Sequence, residues 1–261
     1  MAKAIEHPLY GSAKLGQKMS EDYSISGKDG GSFDFGRLPT VSVSNGAAGV
    51  VSTHVYDDGL KLYWSSLGTN TIGNQPLQVA AGMNYAYDDA NDEGFNWSLA
   101  NSLNKSHIDS GPGIERYRVG SDAFYCKLRF SIADVSATDD THFGFRKVQA
   151  PVAIDTYTDV ASLGIITSAN PALIQVCTAL NNAGMTETTT TDTVADGVSV
   201  TLGVKVSSAG VCTFEINDAA PSATASFTFD DGDYVTPFFH HLSGGSPGAV
   251  TLEYFEHGRQ S

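Results

Sequence analysis

The residues of this chain that could carry chemistry are its neighbouring acids, its histidines and one serine between glycines. Hydrolysis of a glycosidic bond needs two carboxylates at a defined separation. The nearest approximations are Glu215 and the pair Glu253 and Glu256. A Glu-x-Asp-x-x-Glu strand signature does not occur, and ordinary surface charge explains all three glutamates. The sequence therefore nominates no catalytic residue and predicts a protein that is not an enzyme.

The serine lies in Gly244-Gly-Ser246-Pro-Gly248, which matches the Gly-x-Ser-x-Gly pattern of a nucleophile elbow. That elbow requires a strand, a sharp turn and then a helix. Pro247 and the strand-like run after it do not begin a helix. We interpret residues 244–248 as a flexible loop between two strands.

Metal binding has little support in the spacing of possible ligands. The seven histidines show no His-x-His or His-x-x-x-His pattern, and neighbours such as His240 and His241 point to opposite faces of a strand. Asp89–Gly94 begins like an EF-hand loop, but its twelfth position is Ala100 and supplies no bidentate acid. Asp139-Asp140 and Asp230–Asp233 are typical of exposed turns. The sequence predicts neither a metal nor a cofactor.

Aromatic side chains are the platforms on which sugars stack, so they decide whether a glycan-binding function is open. The two tryptophans alternate in phase with leucine and phenylalanine neighbours, which indicates core positions. Tyr85 and Tyr87 share a face with Met83 and fit either role. Three tyrosines stay open as exposed candidates, namely Tyr117, Tyr125 and Tyr157.

Composition excludes several classes of protein. The 261 residues contain 41% hydrophobic and 17% charged residues, which is globular rather than disordered or coiled-coil. A formal net charge of −14 argues against a nucleic-acid partner, because no basic stripe is available to replace counterions. No apolar run predicts a signal peptide or a membrane span. The three cysteines lie within strand-like runs, where buried reduced thiols are expected.

Short alternating runs joined by turn residues predict an all-β fold. Tyr56-Asp-Asp-Gly-Leu60 indicates a hairpin, and so does the turn between Val198–Val206 and Val211–Ile216. Ala123–Ile132 is the longest clean alternation, with His142–Val148 as a candidate neighbour. Further strands are predicted at Leu173–Cys177, where a helical turn stays an alternative, at Ala223–Phe229, and at a threonine-rich edge or loop, 186–193. Residues 1–40 predict an irregular N-terminal arm and residues 41–261 one antiparallel β-sandwich of the jelly-roll type.

Two parts of the sequence carry a family resemblance. Gly120–Tyr125 with Phe130–Val135 and Phe143–Lys147 resembles virion structural proteins of tailed bacteriophages, especially capsid decoration or cement proteins of marine and cyanobacterial phages. The closing runs, from Val198 through Phe227–Gly232 to Pro237–Phe239, are similar to the last strands of concanavalin A-like jelly rolls.

The resemblance implies a mechanical role without catalytic residues. We expect a protein made in the host cytoplasm that binds the major capsid protein on the outer capsid surface of the virion and stabilises the shell. Self-association is implied, with a homotrimer favoured over a dimer, and neither nucleic acid nor membrane is an expected partner. Deleting residues 1–35 is expected to leave a folded sandwich that no longer binds shells. A tail-fibre or spike module that binds a host glycan or receptor is the alternative.

Overall fold

The fold consists of short strands separated by polar and glycine-rich turns. The computed structural model describes six strands between residues 31 and 98 and then residues 116–149, 154–166, 169, 171–243 and 249–260. In chain order the strands are β1 (Gly31–Asp34), β2 (Ser52–Val55), β3 (Lys61–Leu67), β4 (Leu77–Val79), β5 (Gly82–Ala86), β6 (Gly94–Ser98), β7 (Tyr117–Arg118), β8 (Phe124–Ile132), β9 (Thr138–Lys147), β10 (Val160–Ile165), β11 (Ala172–Ala179), β12 (Thr186–Val194), β13 (Val200–Val206), β14 (Cys212–Ile216), β15 (Tyr234–Ser243) and β16 (Ala249–Arg259). Two 3-10 helices of three residues, Val135–Ala137 and Ile154–Thr156, complete the described elements.

The described strands form two antiparallel sheets. One has seven strands in the order β14-β13-β8-β16-β5-β4, with β1 also pairing with β16. The other has nine strands in the order β12-β11-β10-β9-β15-β6-β3-β2, with β7 also pairing with β15. Two sheets with a shared buried interior are a β-sandwich, so the predicted fold class is confirmed.

The sandwich core follows from alternation along the strands, because successive side chains of a strand point to opposite faces. In β8 every second residue, from Phe124 to Ile132, is buried against the other sheet. Aromatic rings join the sheets: Phe130 lies edge-on to Phe239, with ring centroids 5.3 Å apart. Edge-to-face pairs of this kind add about 0.5–1.5 kcal/mol beyond the burial of area.

A second buried layer lies on the outer face of the nine-stranded sheet. All six residues of β10 are buried, so this strand is covered on both faces. On its outer side Val160 packs with Phe238, Ile154 and Tyr157 in a small apolar cluster. The segment that contains the 3-10 helix Ile154–Thr156 therefore covers part of the outer face.

Several local predictions are confirmed by the strand pairing. The hairpin around residues 56–60 joins β2 to β3, and the hairpin in the last third joins β13 to β14. Leu173–Cys177 is a strand and not a helical turn. The threonine-rich segment is strand β12, which ends the nine-stranded sheet as an edge.

Other local predictions are wrong. His142–Val148 does not pair with the strand at Ala123–Ile132, because the 3-10 helix Val135–Ala137 carries the chain from one sheet to the other. Ala223–Phe229 forms no strand beyond one bridge, between Thr228 and Val211. This segment lies along the β14 edge of the seven-stranded sheet instead.

The predicted N-terminal arm contains a strand of the sandwich. Residues of β1 pair in register with β16, from Gly31 opposite His257 to Asp34 opposite Tyr254. The sandwich therefore includes residues 31–34, which lie before the predicted boundary at residue 41. Residues 1–30 and 35–40 lie outside the described residues.

Candidate functional site

The three glutamates considered for catalysis lie on the outer face of the seven-stranded sheet, and each has a described partner. Glu253 accepts hydrogen bonds from Arg129 Nε at 2.7 Å and from Ser199 Oγ at 2.5 Å. Glu256 accepts one from the Tyr254 hydroxyl at 2.5 Å. Glu215 pairs with the ammonium group of Lys205.

The sheet geometry explains why these groups meet. In β8 the residues that alternate with the core, including Lys127 and Arg129, face outward. The register of β8 with β16 shifts between Leu252 and Tyr254, which places Glu253 in a bulge. A bulge re-aims a side chain locally, and here the carboxylate of Glu253 is bound by Arg129.

Lys127 links several strands of this face. Its Nζ lies 2.7 Å from Asp218 and 3.9 Å from Glu256. Partial burial acts to lower the pKa of Lys127, but the hydrogen bond to Asp218 and the charge of Glu256 outweigh it and raise the pKa. The face is thus a set of charges paired with one another across neighbouring strands. We call this set, Lys127, Arg129, Lys205, Glu215, Glu253 and Glu256, the paired-charge face.

Buried polar residues on the outer face of the nine-stranded sheet are a feature that the sequence analysis missed. His142 of β9 lies directly opposite His240 of β15, and both are at most 1% exposed. The Ser162 hydroxyl lies 3.4 Å from His142 Nδ1. Burial, with a smaller contribution from His240, lowers the pKa of His142 to about 3, so its ring is neutral at pH 7.

The same outer face holds a fully buried arginine. Arg146 donates to the carbonyl oxygens of Lys147 and Gln149 at 3.1 and 2.8 Å, and its guanidinium lies 4.9 Å from the ring centre of Tyr157. Burial lowers the pKa of Arg146 against the smaller opposing effect of Tyr157. A cation–π contact with backbone acceptors is a structural arrangement that ties the covering segment to β9.

A signal for this layer was present in the sequence. His142, Gly144 and Arg146 alternate with Phe143 and Phe145, which indicates one polar and one apolar face. The pattern alone suggests that the polar face meets water, because it contains no information about the segment that folds over it. The structure buries both faces.

Two of the three candidate sugar platforms are internal. Tyr117 and Tyr157 are each 1% exposed, which excludes them as exposed stacking surfaces, and Tyr125 is half-buried. Among the described residues the exposed large aromatic is Tyr234, which is 37% exposed with the guanidinium of Arg116 4.8 Å from its ring centre. The side chains of the two tryptophans, of Tyr85 and of Tyr87 lie outside the described residues.

The remaining sequence candidates divide between turn, strand and undescribed positions. Asp230–Asp233 is a turn, with Gly232 at φ 87° and a backbone bond from Asp233 to Asp230. Asp139-Asp140 was predicted as an exposed turn but belongs to β9, where the alternation runs on after Thr138. Most of Asp89–Gly94 and all of 244–248 lie outside the described residues. All three cysteines are free and buried, as predicted.

Neither a metal centre nor a membrane-spanning helix is found in the described part of the chain. No group of three or more His, Cys, Asp or Glu residues there could hold a metal ion. Its helices are not long and apolar enough to cross a membrane.

Comparison with known proteins identifies the fold and no family. No protein-family model matches the chain, and no curated protein matches it. A protein of unknown function from Shewanella oneidensis MR-1 is similar in structure over 98% of this chain and 95% of that chain, with a TM-score of 0.52 and 11% identity. The carbohydrate recognition domain of Emp47p is similar over 76% and 89%, with a TM-score of 0.51 and 9% identity.

Enzymes also occur among the similar structures. The alginate lyase PA1167 from Pseudomonas aeruginosa covers 73% of this chain and 88% of its own, at a TM-score of 0.49 and 11% identity. Likeness at this level of identity shows the fold alone, so function has to be argued from the residues of this chain.

Proposed function

We propose that this chain is a non-enzymatic virion structural protein of a tailed bacteriophage, a capsid decoration or cement protein. In this role it binds the major capsid protein on the outer surface of the shell and stabilises the shell. The observation that supports the proposal best is the paired-charge face, where each candidate catalytic carboxylate is bound to a cation or a hydroxyl. Carboxylates held in this way can contact another protein, but they are not arranged as a general acid and a general base.

The resemblance of residues 120–147 to decoration proteins is the second support. In this structure those residues form β8 and β9, the central strands that face each other across the core. The resemblance therefore falls on the rigid centre of the sandwich. A sandwich in which one strand, β10, is buried on both faces is suited to a position that bears load against internal pressure.

The net charge and the expected oligomer fit the same role. A charge of −14 keeps a domain soluble when many copies are exposed on a particle. A homotrimer matches the three-fold positions of an icosahedral shell, and attachment through several weak contacts gives high occupancy by multivalency. We assign part of the shell contact to residues 1–30, which precede β1.

Co-sedimentation tests this function. Purified protein is mixed with shells of the encoding phage from which it has been stripped, and the bound amount is measured against the major capsid protein. Saturable binding at a symmetry-related ratio, with shells that resist heating better, is expected. Absence of binding contradicts the proposal.

A deletion variant tests the arm separately. Because β1 begins at Gly31, the deletion has to end at residue 30 to leave the sandwich intact. We expect the variant to keep its circular dichroism spectrum and to lose most of its shell binding. Undiminished binding would remove the arm from the account.

Tyr234 supports a second candidate, a tail-fibre or spike module that binds host glycan. Its exposed ring, with Arg116 beside it, is an arrangement on which a sugar ring can stack. The likeness in fold to a carbohydrate recognition domain is compatible with this candidate. A glycan-binding screen separates the two candidates. The tail-fibre or spike module requires a binding signal that is lost in Tyr234→Ala, whereas the decoration protein requires no glycan-binding signal.

A further inference from the structure

Strand β12 forms an edge of the nine-stranded sheet and is the most exposed long strand among those with described side chains. Of its nine residues only Thr190 and Val194 are buried. On one side it pairs with β11. An edge strand presents unpaired backbone N–H and C=O groups, and proteins usually protect such edges against pairing with other chains.

The C-terminal half of β12 is protected in two ways. Three residues, Thr190 to Asp192, oppose the single residue Ile174, which makes a bulge. Ser222, from the connection between the two sheets, closes this bulge: its hydroxyl accepts from Thr191 N at 2.6 Å and donates to Asp192 Oδ2 at 2.9 Å. The Ser222 backbone N–H donates to the same carboxylate oxygen at 2.9 Å.

The connection that carries Ser222 also protects the nearby edge of the other sheet. Cys212 N donates to Phe227 O at 2.9 Å, and Val211 forms a bridge with Thr228. The connection thus runs along β14 in one sheet and the bulge of β12 in the other. Both edges at this end of the sandwich are partly closed by it.

The N-terminal half of β12, Thr186–Thr189, has neither form of protection. Its four residues pair in regular register with Gln175–Thr178, and no described strand pairs with its other side. Three of the four side chains are exposed and the fourth is half-buried. The segment has no proline and no lysine, the residues that commonly block an edge. We call Thr186–Thr189 the open edge.

We propose that the open edge binds an extended segment of the capsid protein, which adds a strand to the nine-stranded sheet. This inference rests on the proposed function and names the contact through which it works. Main-chain hydrogen bonds supply affinity in strand addition, and the flanking side chains supply selectivity. Threonine suits this use because its branched side chain favours the extended backbone.

Charge and size argue for a capsid segment over a second copy of this chain. Glu187 is exposed on the open edge, and the whole chain carries −14, so a neutral or basic segment is the complementary partner. Four residues span about 14 Å at about 3.4 Å each. That length contributes only part of the roughly 800 Å² per partner of a stable pairwise complex. A small contact repeated over a shell is sufficient through multivalency.

The test compares charge-changed variants in the co-sedimentation assay with stripped shells. Glu187→Lys with Thr189→Lys places two cations on the open edge, where they block strand addition and repel a basic segment. Asp155→Lys with Ser208→Lys makes the same change of charge at exposed positions outside β12 and outside the connection that carries Ser222. We expect at least a tenfold weaker binding of the edge variant and less than a threefold change for the control. Circular dichroism establishes that both variants fold.

Hydrogen exchange of the wild-type protein provides a measurement that needs no variant. Amides within residues 186–189 are expected to exchange at least tenfold more slowly on shells than in solution. Two results overturn the inference and leave the proposed function intact. In the first, wild-type protein binds shells but the exchange of residues 186–189 is unchanged. In the second, the edge variant binds shells as well as the control does.

The other outcomes are also decisive. Wild-type protein that fails to bind shells overturns both the function and the contact. If sedimentation velocity shows an oligomer for the wild type and the control but a monomer for the edge variant, the open edge binds a second copy, which overturns the assignment to the capsid protein.

Discussion

Four buried histidines make the stability of this protein depend steeply on pH. His142, His240, His241 and His257 are at most 2% exposed. Burial is the main cause that lowers the pKa of each to about 3. The charge of His240 adds a smaller effect at His142 and His241, and the charge of Arg146 adds one at His240. In the unfolded chain the pKa of each returns to about 6.5.

The sign of the effect follows from proton binding. Below pH 6.5 the unfolded chain binds protons that the folded protein rejects, so stability is full above that pH and falls as the pH drops toward 3. One pKa unit corresponds to about 1.4 kcal/mol. At pH 4.5 the loss is about 2.7 kcal/mol for each histidine and about 11 kcal/mol for all four.

A loss of that size is comparable to the whole stability of a typical domain, about 5–15 kcal/mol. We therefore expect the protein to unfold near pH 5 at 25 °C. The carboxylate of Asp192 does not produce this transition. The Ser222 hydrogen bonds lower the pKa of Asp192, so its contribution to stability is lost only below about pH 4.

Urea unfolding followed by circular dichroism at pH 7.5, 6.0 and 5.0 measures the effect. Wild-type stability should fall across this series, and His142→Gln, which removes one titrating ring, should lose about 2 kcal/mol less between pH 7.5 and pH 5.0. The matched control is Ile132→Val in the core, which should cost about 1 kcal/mol at every pH. Stability that is level between pH 7.5 and 5.0, or an unchanged slope for His142→Gln, refutes the reasoning.

Three further predictions concern packing, backbone space and the thiols. Phe130→Ala should lower the free energy of unfolding by about 3–5 kcal/mol in urea, because it empties the ring contact with Phe239; a loss below about 1 kcal/mol would contradict that packing. Gly144→Ala should cost about 3 kcal/mol or more, since a Cβ there would lie 2.2 Å from Ala161 O. Gly184→Ala, with open space and φ 84°, should cost only about 1 kcal/mol, and equal losses would be inconsistent with this geometry. Burial raises the pKa of all three cysteine thiols, so a thiol reagent at pH 8 should label none in the native protein and three in urea; rapid native labelling would argue against the described core.

The fold class could be predicted because strand alternation and turn residues are local properties. Phe124–Ile132 shows this clearly: its apolar positions are the ones that the structure buries. The pairing of strands could not be predicted in the same way, since it depends on which sheet the chain enters next. The three residues of the helix Val135–Ala137 decide that β9 joins the opposite sheet, and no periodicity encodes that crossing.

The candidate site was predictable only in part. The sequence identified the glutamates and the absence of a catalytic spacing, but their partners lie on other strands: Arg129 is 124 residues from Glu253. The outer-face histidines were considered only as metal ligands, because their burial depends on a covering segment elsewhere in the chain. The sequence predicts an irregular arm that extends to residue 40, because Gly31–Asp34 is too short and glycine-rich to show a strand pattern.

The copy number of this chain in purified virions tests its assignment to the capsid surface most directly. Quantitative mass spectrometry of virions from the encoding phage gives the ratio of this chain to the major capsid protein. The account predicts a ratio set by shell symmetry, with one copy for each capsid subunit or each three-fold position. A few copies per particle, as for a tail fibre, or none at all, would contradict it.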